Sequence, residues 1–357
     1  MSTTATFNRR TFMRGAAAGG LALAAARFSS PLRAAGLATP ATTSRVALTA
    51  GDNRADNVFR ALRSLAPQIT RAIGDRPVVI KPNNVAMDVQ LSATHADCVE
   101  GILEFLRSIG KAGDVTIAES AANGPTLEGF ANFGYTRVAA KYGAKLADLD
   151  AQPVQKVHVF DETDFRPHAV RMSRLLLDPK TFIISAAVMK THDRVVATLS
   201  LKNIVIGAPV KDLGFGWGRK VKPGTTSDKP ICHGGGFRGL NYNLYALAQQ
   251  LHPHLAVVDG YEGMEGNGPV GGQRVEHRIC VASADWLAAD RLAIELMGID
   301  FAKVGYLNFC AQAGLGEADL TKIEVVGEPP ARHVKSYKLA TNIEKQLIWM
   351  TPPKASG

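Results

Sequence analysis

Cysteines and aromatic residues are scarce in this 357-residue chain: there are four of the former, and Phe, Trp and Tyr make up 7%. Cys98, Cys232, Cys280 and Cys310 stand far apart with no C-x-x-C pair, which excludes the usual zinc and iron–sulfur ligand spacings. They read as small buried apolar residues. No G-x-S-x-G elbow or H-E-x-x-H helix occurs, so the serine-hydrolase elbow and zincin chemistry lack their signatures. A Walker glycine fingerprint is also missing. Acidic residues are absent from positions 1–35, which carry Arg9, Arg10, Arg14, Arg27 and Arg33. That stretch accounts for much of the net charge of +9; without it 36 basic residues face 32 acidic ones. So mild an excess, with no basic helix or aromatic–basic stripe, excludes a nucleic-acid footprint.

What is present begins with an address. Residues 8–14 read Asn-Arg-Arg-Thr-Phe-Met-Arg, and Gly15 to Ala26 form a mild Ala/Gly-rich apolar stretch. The combination resembles a twin-arginine export signal over residues 1–35, with Ala34 and Ala35 in a cleavage zone. The twin-arginine translocation machinery is the partner this implies, and the periplasm or another exported location the destination. The apolar run is about a dozen residues, short of the roughly 20 a bilayer core requires, so no stable membrane span is expected after cleavage. Twin-arginine substrates cross folded, which removes the usual periplasmic argument for disulfides.

Hydrophobicity of 46% supports a full core, as one large α/β unit or two sub-domains. Residues 36–75 read as a loose leader, 76–327 as the α/β domain, and the proline-bearing 328–357 as a loosely packed tail. Strand-like runs at 77–80, 114–118, 182–188, 255–258, 278–282 and 323–326 alternate with helix-like segments. These include one capped by Thr94 and running to about Ser108, one from about Leu127 to Lys141, and Trp286–Met297 opened by Asp285. The alternation predicts a mostly parallel sheet flanked by helices. Between residues 207 and 238 the pattern fails in a Gly- and Lys-rich loop, either a basic lid over an anionic ligand or a plain surface insertion.

Ligands in such sheets bind beyond the strand carboxyl ends. Four strands end there in polar residues: Lys81-Pro82-Asn83-Asn84, Glu119-Ser120, Lys190-Thr191-His192 and Asp259-Gly260-Tyr261-Glu262. Lys202-Asn203 adds an isolated charge to an apolar stretch. A lysine beside a histidine suits anion binding with proton transfer. The candidate catalytic set is therefore His192, as general acid/base, with Lys190 and Glu119. Lys81, Asn83, Lys202 and Asn203 are candidates to bind a small anionic molecule, a carboxylate or a phosphate. The Gly-rich Asp259–Gly271 segment could give a hard divalent cation oxygen ligands from Asp259, Glu262 and Glu265, joined by His233, or could be a hydrogen-bonded turn. Asp290 is open between an inward and a solvated face. No cofactor is specified beyond that metal alternative. Apart from an enzyme, the same residues would serve a non-catalytic ligand- or metal-binding protein or an assembly factor.

The motifs IKPN (80–83), KTH (190–192), LSLKN (199–203), VDGYEGMEGNGP (258–269) and SADWLAAD (283–290), in that order, resemble the domain of unknown function 362 family, from about residue 76 to 327. The resemblance implies an α/β fold and a shared site without supplying a reaction. Some relatives add a cysteine-clustered ferredoxin-like segment, which this chain lacks.

Overall fold

The structure is a computed structural model and describes residues 43–216 and 222–351. The twin-arginine segment, the leader up to residue 42, and Arg219 and Lys220 of the 207–238 loop lie outside the described residues. Strands follow in chain order as β1 (Ser44–Ala50), β2 (Val78–Pro82), β3 (Val115–Glu119), β4 (Lys145–Asp148), β5 (Val154–Asp161), β6 (Arg166–Ser173), β7 (Phe182–His192), β8 (Val196–Thr198), β9 (Leu255–Asn267), β10 (Gly271–Ser283) and β11 (Ile323–Gly327). Nine of them form one sheet in the order β11-β1-β10-β9-β7-β2-β3-β4, with β8 beside β7, while β5 and β6 make a separate ribbon. The run β9-β7-β2-β3-β4 is parallel throughout, and β1–β11 is parallel too. β10 is antiparallel to both its neighbours, so the sheet is mixed and mostly parallel.

Continuous apolar strands are what a sheet covered on both faces requires. Val78 and Ile80 of β2, with Ile184 and Ala186 of β7, pack against Val58, Leu62, Ile102 and Leu106. Those four belong to the helices Arg54–Ser64 and Ala96–Ser108. Val79, Ile183 and Val258 point the other way, onto Ile204, Leu244, Leu292 and Leu307. From Thr43 onward the chain is one compact unit. All four cysteines are buried and free. Among the described residues no helix is long and apolar enough to cross a membrane.

Several local expectations need correction. The stretch read as a loose leader carries β1, inserted between β10 and β11, and two helices, Arg54–Ser64 and Ala66–Ile73. Its Val46, Ala47 and Leu48 alternate between the two cores, a pattern short enough to be hidden by the flanking Ala and Thr. Thr94 does not cap Ala96–Ser108: His95 does, its ring accepting from Asp97 N. Thr94 instead accepts from Asn83 N and donates to Ala186 O, stitching β2 to β7. The helix expected over 127–141 is two, Thr126–Asn132 and Tyr135–Tyr142, divided at Gly134 with φ +77. The tail is not loose, since Tyr337, Ala340 and Gln346 are buried.

Candidate functional site

The carboxyl ends of β2, β3 and β7 open into a cavity of about 300 Å³. Lys81, Asn83, Asn84, Glu119, Ser120, His192, Lys202, Asn203 and His233 line it. Six of the seven residues read from the sequence as catalytic or substrate-binding thus come to one place; Lys190 alone is not in the wall.

At one end of the cavity lies a dry ion pair. Lys81 Nζ stands 2.7 Å from Glu119 Oε1, with side-chain exposures of 1% and 2%. Burial pushes Lys81 down and Glu119 up from their ordinary values. The surroundings favour the ionised pair nonetheless. Asn84 N and Ser120 N donate to the Glu119 carboxylate at 3.0 and 2.8 Å, and Lys81 donates to Pro82 O and Asn203 Oδ1 at 3.0 and 3.2 Å. Hydrogen bonds of this kind stabilise charged forms on both sides. Asn203 is held in turn by donating to Lys81 O and Ser185 Oγ. Gly207 gives the lysine its passage, because a Cβ there would sit 2.0 Å from Lys81 Cε.

Lys202 differs from Lys81. Its helix, Ser200–Val205, is capped by the carboxylate of Asp290, which accepts from Ser200 N at 2.9 Å and Leu201 N at 3.0 Å. Asp290 therefore faces inward and is fully buried, which lifts its pKa to about 7. Among the described residues Lys202 Nζ makes no hydrogen bond or close ion pair, and burial lowers its pKa to about 8. His192 Nδ1 accepts from Arg194 N at 3.0 Å, so the neutral ring carries its proton on Nε2. Burial, with Lys202 next, holds His192 well below its usual value, and burial takes His233 down to about 4. Both rings stay uncharged at neutral pH.

Lys190 sits behind the wall. Its fully buried amine donates to Asn83 Oδ1 and to Ser92 O, and burial pulls its pKa well below the usual lysine value. Thus β7 does continue through His192, but Lys190 positions Asn83 and does not reach the cavity.

The four candidate metal ligands do not converge. His233 lines the first cavity, whereas Asp259 and Glu262 line a second, of about 240 Å³, with Arg54, His95 and Arg274. Arg54 contacts both acids, at 3.3 Å and 2.8 Å, and Arg274 takes the other Glu262 oxygen. Glu265 accepts from Lys338 N on the C-terminal segment. Arginines thus occupy the oxygens a cation would need. No group of three or more His, Cys, Asp or Glu suited to a metal occurs among the described residues. The segment is a strand pair, β9 with β10, in which the register Glu262↔Glu276 and Glu265↔Gln273 spreads the acids along the hairpin.

Sequence reading missed Lys229, Arg194, Asn84 and Thr198 as cavity residues. Lys229 arrives on the 207–238 loop, which Arg171 pins to β6 through Asp212 and Asp228 at 2.6 and 2.8 Å. Its ammonium donates to Ile206 O, Gly207 O and Pro209 O. Burial pulls Lys229 to about 7, and these three acceptors oppose that. The loop's basic count was the available signal for Lys229, and the KPNN strand end for Asn84. Nothing local marked Thr198.

No solved structure matches the chain. A thylakoid-associated protein of Synechocystis sp. is 23% identical over 274 residues, 74% of this chain and 76% of that protein. The family model described as Domain of unknown function (DUF362) matches residues 78–295, well over half the chain, with the motifs that build the cavity inside it. The chain belongs to that family.

Proposed function

We propose that the protein is an enzyme acting on a small anionic molecule held in the cavity at the carboxyl ends of β2, β3 and β7. The observation that carries this reading is Lys202, a buried ammonium with no hydrogen bond or close ion pair among the described residues and only the half-exposed Asp193 as an opposite charge acting from farther off, in the same cavity wall as the Lys81–Glu119 pair. An unpaired buried cation is costly unless something negative meets it. Glu119 is the base that takes a proton from the bound molecule, and Lys81 returns one to the oxygen on which charge develops. His192 presents Nε2–H as a neutral donor to the same molecule, which narrows the acid/base role read from its sequence. The reading also includes export: residues 1–35 direct the folded chain through the twin-arginine translocation machinery to the periplasm or another exported location.

The catalytic part is tested by incubating the protein with the anionic small-molecule fraction of a cell extract and following each compound by mass spectrometry. Wild type should consume at least one anion and Glu119→Gln should consume none. If an anion instead co-purifies and is recovered unchanged after long incubation, the protein is a binding protein and the enzymatic reading falls. Export is tested by fusing residues 1–42 to a reporter. Arg9→Lys/Arg10→Lys should trap it inside, and unchanged export would refute the twin-arginine route.

A further inference from the structure

The proposal above leaves the charge of the bound molecule open, and the distribution of cations around the cavity addresses it. Lys81, Lys202, Lys229 and Arg194 line the wall, against the carboxylates of Glu119 and Asp193. Two of these cations are already satisfied, Lys81 by Glu119 and Lys229 by three carbonyls. Asp193 is 46% exposed, lies 3.3 Å from His192 Nδ1, and acts on Lys202 only from beyond ion-pair distance, so it answers that charge in part. Lys202 and Arg194 remain. The Arg194 guanidinium lies 5.6 Å from the Phe237 ring centre and makes no ion pair or side-chain hydrogen bond among the described residues. Both cations act on His192 and on His233, and all four groups line the one cavity.

Two further donors belong to this wall. Thr198 Oγ1 is fully buried and has no partner, and each neutral imidazole has one N–H to give. A single carboxylate offers two oxygens and one charge, which leaves a cation and at least one buried polar group unanswered. Resting on the reading of the cavity as an anion site, we propose that its ligand is a dianion, a phosphoryl group or a pair of carboxylates, clamped between Lys202 and Arg194 with Thr198 and the two histidines as neutral donors. Arginine gives the clamp a planar two-pronged face and lysine a point charge, a combination suited to clustered oxygens.

The test is isothermal titration of the full chain at pH 7.5 and constant ionic strength with inorganic phosphate, malonate and acetate. At least one dianion should bind tenfold or more tighter than acetate, phosphate leading for a phosphoryl site and malonate for paired carboxylates. Arg194→Gln, at an exposed position that threatens no core, should bring the preferred dianion to within about threefold of acetate. Acetate binding as tightly as both dianions would overturn the dianion assignment while leaving the anion site standing. The same holds if Arg194→Gln leaves dianion affinity unchanged. Absence of binding by all three probes would remove the anion reading itself.

Discussion

Replacing Glu119 by Gln would leave the Lys81 ammonium in the driest part of the molecule. The carboxylate accepts from Lys81, Asn84 N and Ser120 N, and a glutamine amide has one oxygen to offer in place of two. Breaking a buried pair from one side costs about 3–5 kcal/mol, and an orphaned backbone N–H about 1–3 kcal/mol. Lys81 can limit the loss by shedding its proton, since burial already lowers its pKa. Glu119→Gln and Lys81→Met should each therefore lose about 3–5 kcal/mol, or roughly 6–20 °C in Tm at about 2–4 °C per kcal/mol for a chain of this size. The double variant removes both charges and should be more stable than the sum of the singles by about 2–4 kcal/mol. Urea unfolding at pH 7, with the slope checked for constancy, measures all four corners of the cycle. A coupling below about 0.5 kcal/mol would refute the argument, because it would mean that the two charges do not depend on one another in the folded protein.

Malonate affinity should fall roughly tenfold per pH unit above about pH 8, where Lys202 loses its proton; Lys202→Met should bind weakly with no break near pH 8, as titration calorimetry across pH 6.5–9.5 would show. His233 titrates at about 4 when folded and near 6.5 when unfolded, so the unfolded chain binds the extra proton in that window and stability falls on acidification through it. The loss attributable to His233 should approach about 3 kcal/mol by pH 4 and vanish in His233→Gln, read from denaturant midpoints at pH 7, 5.5 and 4. Gln346→Ala should leave the buried Val196 N–H without an acceptor, costing about 1–3 kcal/mol, and should also weaken anion binding, whereas an unaltered affinity would divorce the tail from the site.

What was readable in the sequence was whatever is local in cause. Strands such as 77–80, 114–118 and 255–258 are rich in β-branched and apolar residues because both faces are covered, and each starts within one residue of an observed strand. Asp285 was legible as a cap because an N-cap acts two or three residues ahead, here on Leu287 N and Ala288 N. The strand-end rule found most of the cavity for the same reason. It failed at Asp259 and Glu262, where the strand does not end: β9 runs on to Asn267 as a hairpin with β10, and Arg54, about two hundred residues earlier, neutralises both acids. Lys190 shows the same limit. Its spacing from His192 is correct for one strand face, yet nothing nearby in sequence shows that Asn83 and Ser92 take its amine.

Three contacts that span long stretches of chain hold the cavity wall, and none supplies a group to the cavity itself. Asp290 caps the helix of Lys202 across 90 residues. Arg171 fixes the loop of Lys229 and His233 through Asp212 and Asp228. Gln346 accepts from Val196 N across 150 residues, while Asn342 donates to Asp193 O, so the C-terminal segment straps the turn between β7 and β8. The hairpin of β7 and β8 around that turn carries His192, Arg194 and Thr198, and Val196, at the start of β8, has φ +69, an uncommon conformation for a β-branched residue. Such backbone costs about 1–3 kcal/mol and persists only where its surroundings impose it. A turn that merely joined two strands would relax, or would contain glycine. Here a buried glutamine from the far end of the chain holds it, and the residues so presented include Thr198, whose hydroxyl has no partner, and Arg194, which makes no ion pair among the described residues. The strain at Val196, the inward carboxylate of Asp290 and the burial of the Lys202 ammonium are each unfavourable alone, and together they keep donors at the cavity wall, as the proposed anion site requires.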